Sequence, residues 1–101
     1  MALFGSKAEN AYDVAPVDLA VARAVATEIT KGGSRLRGSS LTVRTLTGTL
    51  TLRFNTVASD AILCVAPKDE GVVFVQDFER VFVENAAQAG ATAEFYIGRR
   101  A

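Results

Sequence analysis

The sequence predicts an all-β fold: an antiparallel β-sandwich or jelly-roll-like barrel of about seven to eight strands with an N-terminal arm. Three observations predict it. Short runs rich in Val, Ile, Leu, Phe and Thr recur from Leu41 to the end of the chain. Clusters of Gly, Pro, Asn, Asp and Ser punctuate them at short intervals. Several of the runs alternate apolar with polar residues, the period of a strand with one dry face. At 101 residues the chain is one domain long, so it can build one modest core. Half of its residues are hydrophobic (50%), which leaves apolar surface over and points to self-association.

Taken in order, residues 1–18 show no steady period around Pro16 and read as an arm, leaving 19–101 as the sandwich domain. Residues 19–29 fit two elements. Pro16 before them, Gly32-Gly33 after them, and Val17, Val21, Val25 and Ile29 at four-residue spacing suit a helix. The β-branched positions, alternating with Ala20, Ala22, Ala24 and Ala26, suit a strand, and the strand is favoured. Residues 31–39 form a Gly- and Ser-rich connection from which Arg35 and Arg37 project.

Residues 41–54 read as a hairpin. A turn at Thr47-Gly48 pairs Val43 with Leu52 and Leu41 with Phe54, so that apolar pairs share one face and polar pairs the other; Leu46 is the exception. Further strands are expected over residues 61–65, 72–76, 78–85 and 92–98. In the last of these, Ala93, Phe95 and Ile97 point inward, and Thr92, Glu94 and Tyr96 outward. Residues 78–85 carry apolar side chains on both faces, so if Val81 and Val83 fill the core, Phe82 faces out and needs a cover.

The charge is balanced overall but divided along the chain. Residues 21–55 carry Arg23, Lys31, Arg35, Arg37, Arg44 and Arg53 against Glu28, a net +5. Residues 56–98 carry a net −5. Such a division suits either head-to-tail contacts between copies or two solvated faces of one sandwich. A net charge of zero speaks against nucleic acid or an anionic membrane as partner.

Catalysis finds little to work with. The chain has no histidine, which removes the commonest general base and metal ligand together with every triad that needs one. The carboxylate pairs Asp69-Glu70 and Asp77 with Glu79 fall in or beside turns, where acids are ordinary surface. No phosphate-binding glycine loop or nucleophile elbow occurs. The single Cys64 lies in an apolar run and reads as a small buried hydrophobe, so no intramolecular disulfide is expected. The expectation is therefore a protein that is not an enzyme, with no cofactor and no metal. The start of the chain shows no leader pattern, and no apolar run reaches membrane-spanning length, so synthesis in a cytoplasm is expected.

Residues 78–98, with the turn Asn85-Ala86-Ala87-Gln88-Ala89-Gly90 between two strands and a closing Phe95-Tyr96-Ile97-Gly98, resemble the endings of small virion proteins of tailed bacteriophages. The order of elements from Leu19 onward is similar too. The turn also has a local physical account: Asn85 can bond its own backbone, and Gly90 allows a positive φ. The resemblance implies a structural subunit of the virion, made in the host cytoplasm. Its role would be a capsid decoration or cement protein that contacts other copies of itself and other virion proteins such as a major capsid protein, or else a neck or tail ring component. A carbohydrate-binding sandwich is the rival class. Phe82, Tyr96, Arg35 and Arg37 are the residues expected at subunit contacts.

Overall fold

The computed structural model describes residues 11–99, which form β-strands, turns and loops with no α-helix. The strands are β1 (Tyr12–Asp18), β2 (Arg23–Lys31), β3 (Ser34–Arg35), β4 (Gly38–Leu46), β5 (Thr49–Phe54), β6 (Ile62–Val65), β7 (Val73–Phe78), β8 (Val81–Asn85) and β9 (Thr92–Gly98). They build two antiparallel sheets, ordered β1-β9-β4-β7 and β3-β2-β8-β5-β6. The chain is thus an all-β sandwich. Its extra strand is β3, folded back on β2 by Gly32 and Gly33 at φ 58° and 86°, values open to glycine without strain.

With β3 set aside, the strands pair first with last: β1 with β9, β2 with β8, β4 with β7 and β5 with β6. The chain is one long antiparallel ribbon, doubled back between β5 and β6 and wrapped so that successive rungs fall in alternate sheets. Wrapping adds the β4–β9 and β5–β8 pairings. This is the jelly-roll arrangement. Such a ribbon also lays the first half of the chain along the second, with ion pairs of both polarities between them. Arg53 on β5 bonds Glu84 on β8 at 2.6 Å, and Glu28 on β2 lies 3.9 Å from Arg80. The two halves meet within one molecule.

The expected 41–54 hairpin does not form. β4 and β5 lie in opposite sheets, and Thr47-Gly48 carries the chain across the core between them. The facing was nevertheless as expected: Leu41, Val43, Leu50, Leu52 and Phe54 are all buried. Alternation reports which face of a strand is dry, and two strands facing each other across a sandwich satisfy it as well as two side by side. Leu46 is buried too, because an irregularity between Val43 and Thr45 in the pairing with β9 switches the side-chain parity.

Two other expectations change. The arm expected over residues 1–18 gives way to strand at its end: β1 pairs with β9 and buries Val14 and Val17, a spacing of three made possible by a bulge between them. Residues 1–10 lie outside the described residues. Within 19–29, the strand is present from Arg23, but Val21 and Val25 are 57% and 72% exposed and Leu19, in the preceding turn, enters the core. The expected strand over 78–85 divides, with Phe78 closing β7 and β8 starting at Val81.

Val81 and Val83 from β8 meet Phe95 and Ile97 from β9 in the core, all at 0% exposure. Phe54 closes one end in aromatic contact with Phe74 and Phe78, at centroid distances of 6.2 and 5.1 Å. Gly38 is required at this end. A Cβ there would stand 2.6 Å from Ile97 Cγ2 and 2.7 Å from the Gly98 carbonyl oxygen.

Candidate functional site

The four residues expected at contacts occupy three different surfaces. Phe82 points to the outer face of the five-stranded sheet, as expected, but it is only 6% exposed. Its cross-strand neighbours are Glu28 and Arg53. Glu28 lies between Arg35 and Arg80, 3.7 and 3.9 Å from their guanidinium nitrogens, and Arg53 is held by Glu84 and by the Ser59 carbonyl at 2.5 Å. Charged side chains with long aliphatic stems therefore flank Phe82 and shield it. Its burial needs no neighbouring subunit. Arg35 belongs to the same face, exposed on β3 and reaching Glu28.

Tyr96 lies on the opposite side of the sandwich, 38% exposed on the outer face of the four-stranded sheet. It stands between Asp13 and Thr42, and Thr42 pairs in turn with Val73. Arg37 is at the end of the sandwich, where its backbone N–H and C=O both bond the Tyr12 hydroxyl at 3.2 Å. Its side chain lines an open cleft of about 460 Å³ with Ser39, Asn55, Asp77, Glu79 and Arg99. The charges in this cleft are mixed, and its one aromatic residue, Phe78, is buried.

The 85–90 turn does more than close on itself. The Asn85 amide donates to the carbonyls of Leu19, Val21 and Ala86 at 3.1, 3.0 and 2.9 Å, and its Oδ1 accepts from Arg23 at 3.1 Å. Gln88 pairs with the backbone of Thr49 as a strand would, with Thr49 N–H donating to Oε1 and Nε2 donating to the Thr49 carbonyl, both at 2.7 Å. Gly90 takes φ 76°. One turn thus ties down the β1–β2 connection and the start of β5. These bonds use the amide groups of both side chains and leave them little to offer a ligand.

Cys64 is buried and free, as the sequence suggested. Burial, together with the Asp69 carboxylate, pushes its thiol up to about 11, away from nucleophilic use at neutral pH. Among the described residues no group of three or more Cys, Asp or Glu side chains is placed to hold a metal ion.

One feature that sequence reasoning did not single out is the outward apolar face of β7. Val73 and Val75 are 51% and 75% exposed, while Phe74 between them turns inward. The signal was present: Val73-Phe74-Val75 is apolar at both parities, as is Val81-Phe82-Val83. In β8 the outward member is covered; in β7 it is not. No protein-family model, curated protein or solved structure matches the chain.

Proposed function

We propose that this protein is a non-enzymatic structural subunit of a bacteriophage virion, a decoration or cement protein that stabilises the particle through contacts between subunits. The observation that carries the proposal is how the side chains are used. Asn85, Gln88, Arg53 and Glu84 are engaged in holding the sandwich together, while apolar side chains at Val25, Leu63, Val73, Val75 and Tyr96 stay on its surface. A rigid body with polar groups turned to its own support and apolar groups turned out suits packing against other proteins. The resemblance of residues 78–98 to phage virion proteins supports the particle as the setting, and the jelly-roll order supports it by analogy only.

The test is quantitative mass spectrometry of purified particles, counting this chain against the major shell protein. Hundreds of copies are expected for a decoration protein. About a dozen would move the assignment to a neck or tail ring, as closed cyclic symmetry implies. Absence from particles would overturn the virion role. The carbohydrate-binding alternative would then lead, resting on Tyr96, whose ring is exposed on an open sheet face beside Asp13 and Thr42.

A further inference from the structure

A sandwich has sheet edges, and three of the four here are guarded. On β1, Pro16 has no N–H to offer, a bulge breaks the strand between Val14 and Val17, and Lys31 Nζ donates to the Asp13 carbonyl at 2.7 Å. The β2 edge is covered at one end by β3, only two residues long. On β6, four residues long, the Val65 N–H is taken by the Asp69 carboxylate at 2.9 Å. The fourth edge, β7, runs six residues as Val73-Phe74-Val75-Gln76-Asp77-Phe78, with no Pro, Lys or Arg, and pairs only with β4 among the described residues.

The register shows which backbone groups are open. Val43 N–H donates to the Val72 carbonyl at 2.9 Å, so Leu41, two residues along and opposite Phe74, also directs its backbone at β7. Val73 and Val75 therefore aim their N–H and C=O groups away from β4, at the open edge. Their side chains are the exposed ones.

We infer that β7 is a self-pairing edge, at which a second copy of this chain adds its own β7 antiparallel across a two-fold axis beside Phe74. In that register Val73 and Val75 of one copy exchange backbone hydrogen bonds with Val75 and Val73 of the other, and each outward valine gains a valine neighbour. The occupant is a second copy for two reasons. Residues 73–76 carry no charge, so identical strands meet without repulsion. Pairing with β1 of another copy, the remaining way to extend this sheet, is obstructed by Pro16 and Lys31. The contact joins two four-stranded sheets into one and is isologous, closing as a dimer. A strand pairing of this length buries less than the roughly 1,600 Å² of a standard interface, so a weak, reversible association is expected. The inference is independent of the virion proposal, since a chain can dimerise whether or not it enters particles.

Sedimentation velocity on the full chain from about 1 to 200 μM tests it, with dimer expected to accumulate across that range. Val75→Lys should weaken association about tenfold or more while leaving the circular dichroism spectrum unchanged. A second measurement does not rely on that variant: Val73→Cys mixed with Val75→Cys should form a heterodimeric disulfide faster than either variant alone, Cys64 being buried. A chain that stays monomeric throughout, a Val75→Lys variant that associates as well as the parent, or cross-linking with no preference for the mixed pair would each overturn the inference. Another protein that binds the parent but not Val75→Lys, with no self-association, would assign the edge to a different partner.

Discussion

Replacing Asn85 by Asp changes one atom and reverses the chemistry of the turn. In the native chain the Nδ2 group faces three carbonyl oxygens at 2.9–3.1 Å, and Asn85 is 8% exposed. Asn85→Ala removes these bonds, yet each carbonyl keeps a second donor. Leu19 O retains the Gln88 N–H, Val21 O retains the Arg23 guanidinium, and Ala86 O retains Gln88 Nε2. Few groups are orphaned, so the cost is the net worth of the bonds plus a small cavity, about 2–3 kcal/mol. Asn85→Asp instead sets an anionic oxygen against the same carbonyls, offset in part by a stronger bond from Arg23. It should cost more than the alanine variant at pH 7, about 3–5 kcal/mol. Those carbonyls raise the folded-state pKa of the new carboxyl above its unfolded value, so the folded form binds the proton more tightly. Stability relative to Asn85→Ala is therefore recovered as the pH falls through the folded pKa, and is lost as it rises. Urea unfolding of the three proteins at pH 7 and pH 4.5 measures both quantities. An aspartate variant at least as stable as the alanine variant at pH 7, or a gap indifferent to pH, would refute the account of the turn.

Phe82→Ala should destabilise the isolated chain by about 3 kcal/mol, because the ring is shielded within one molecule; thermal unfolding measures it, and an unchanged midpoint would return Phe82 to the list of contact residues. Gly48→Ala should cost about 1–3 kcal/mol, since its Cβ would lie 2.5 Å from Gln88 Oε1 and 2.9 Å from Ala91 Cβ. Adding Gln88→Ala should cost less in that background than alone, a non-additivity that a double-mutant cycle reads. Cys64 should resist thiol reagents at pH 8 in the folded chain. Because its folded pKa of about 11 lies above the unfolded value, the stability it contributes is full below pH 9 and is lost between about pH 9 and 11. Parent and Cys64→Ala unfolding curves should converge over that range.

Facing was far more legible in the sequence than pairing. Alternation placed Ala93, Phe95 and Ile97 inward and Tyr96 outward, as the fold has them. It also assigned the buried face of residues 41–54, while giving those strands the wrong neighbours. Burial of a strand face is a local property of its residues, whereas the choice of neighbour depends on strands far along the chain. Bulges defeated the period in β1 and at Leu46, since one extra residue reverses parity. The burial of Phe82 was hidden for a different reason. The side chains that shield it come from β2, β5 and β8, and their convergence follows from sheet order. Asn85 and Gln88 were visible as turn residues, but their bonds to Leu19 and Thr49 are 66 and 39 residues away in sequence.

The ribbon also constrains how the molecule comes into being. β8 and β9, the inner strands on which β2 and β5, and β1 and β4, are assembled, lie in the last quarter of the chain. A ribosome delivers β1, β2, β4 and β5 before either of those strands exists; β5 can meet β6 and β4 can meet β7 first, but β1 waits for β9 and β2 for β8. The five-stranded sheet cannot close until translation has passed Asn85, nor the four-stranded sheet until it has passed Gly98. Folding of this topology, which depends on pairings far apart in sequence, is slow by the standard of local folds, and a nascent chain cut short before Thr92 leaves β1 and β4 without their shared partner.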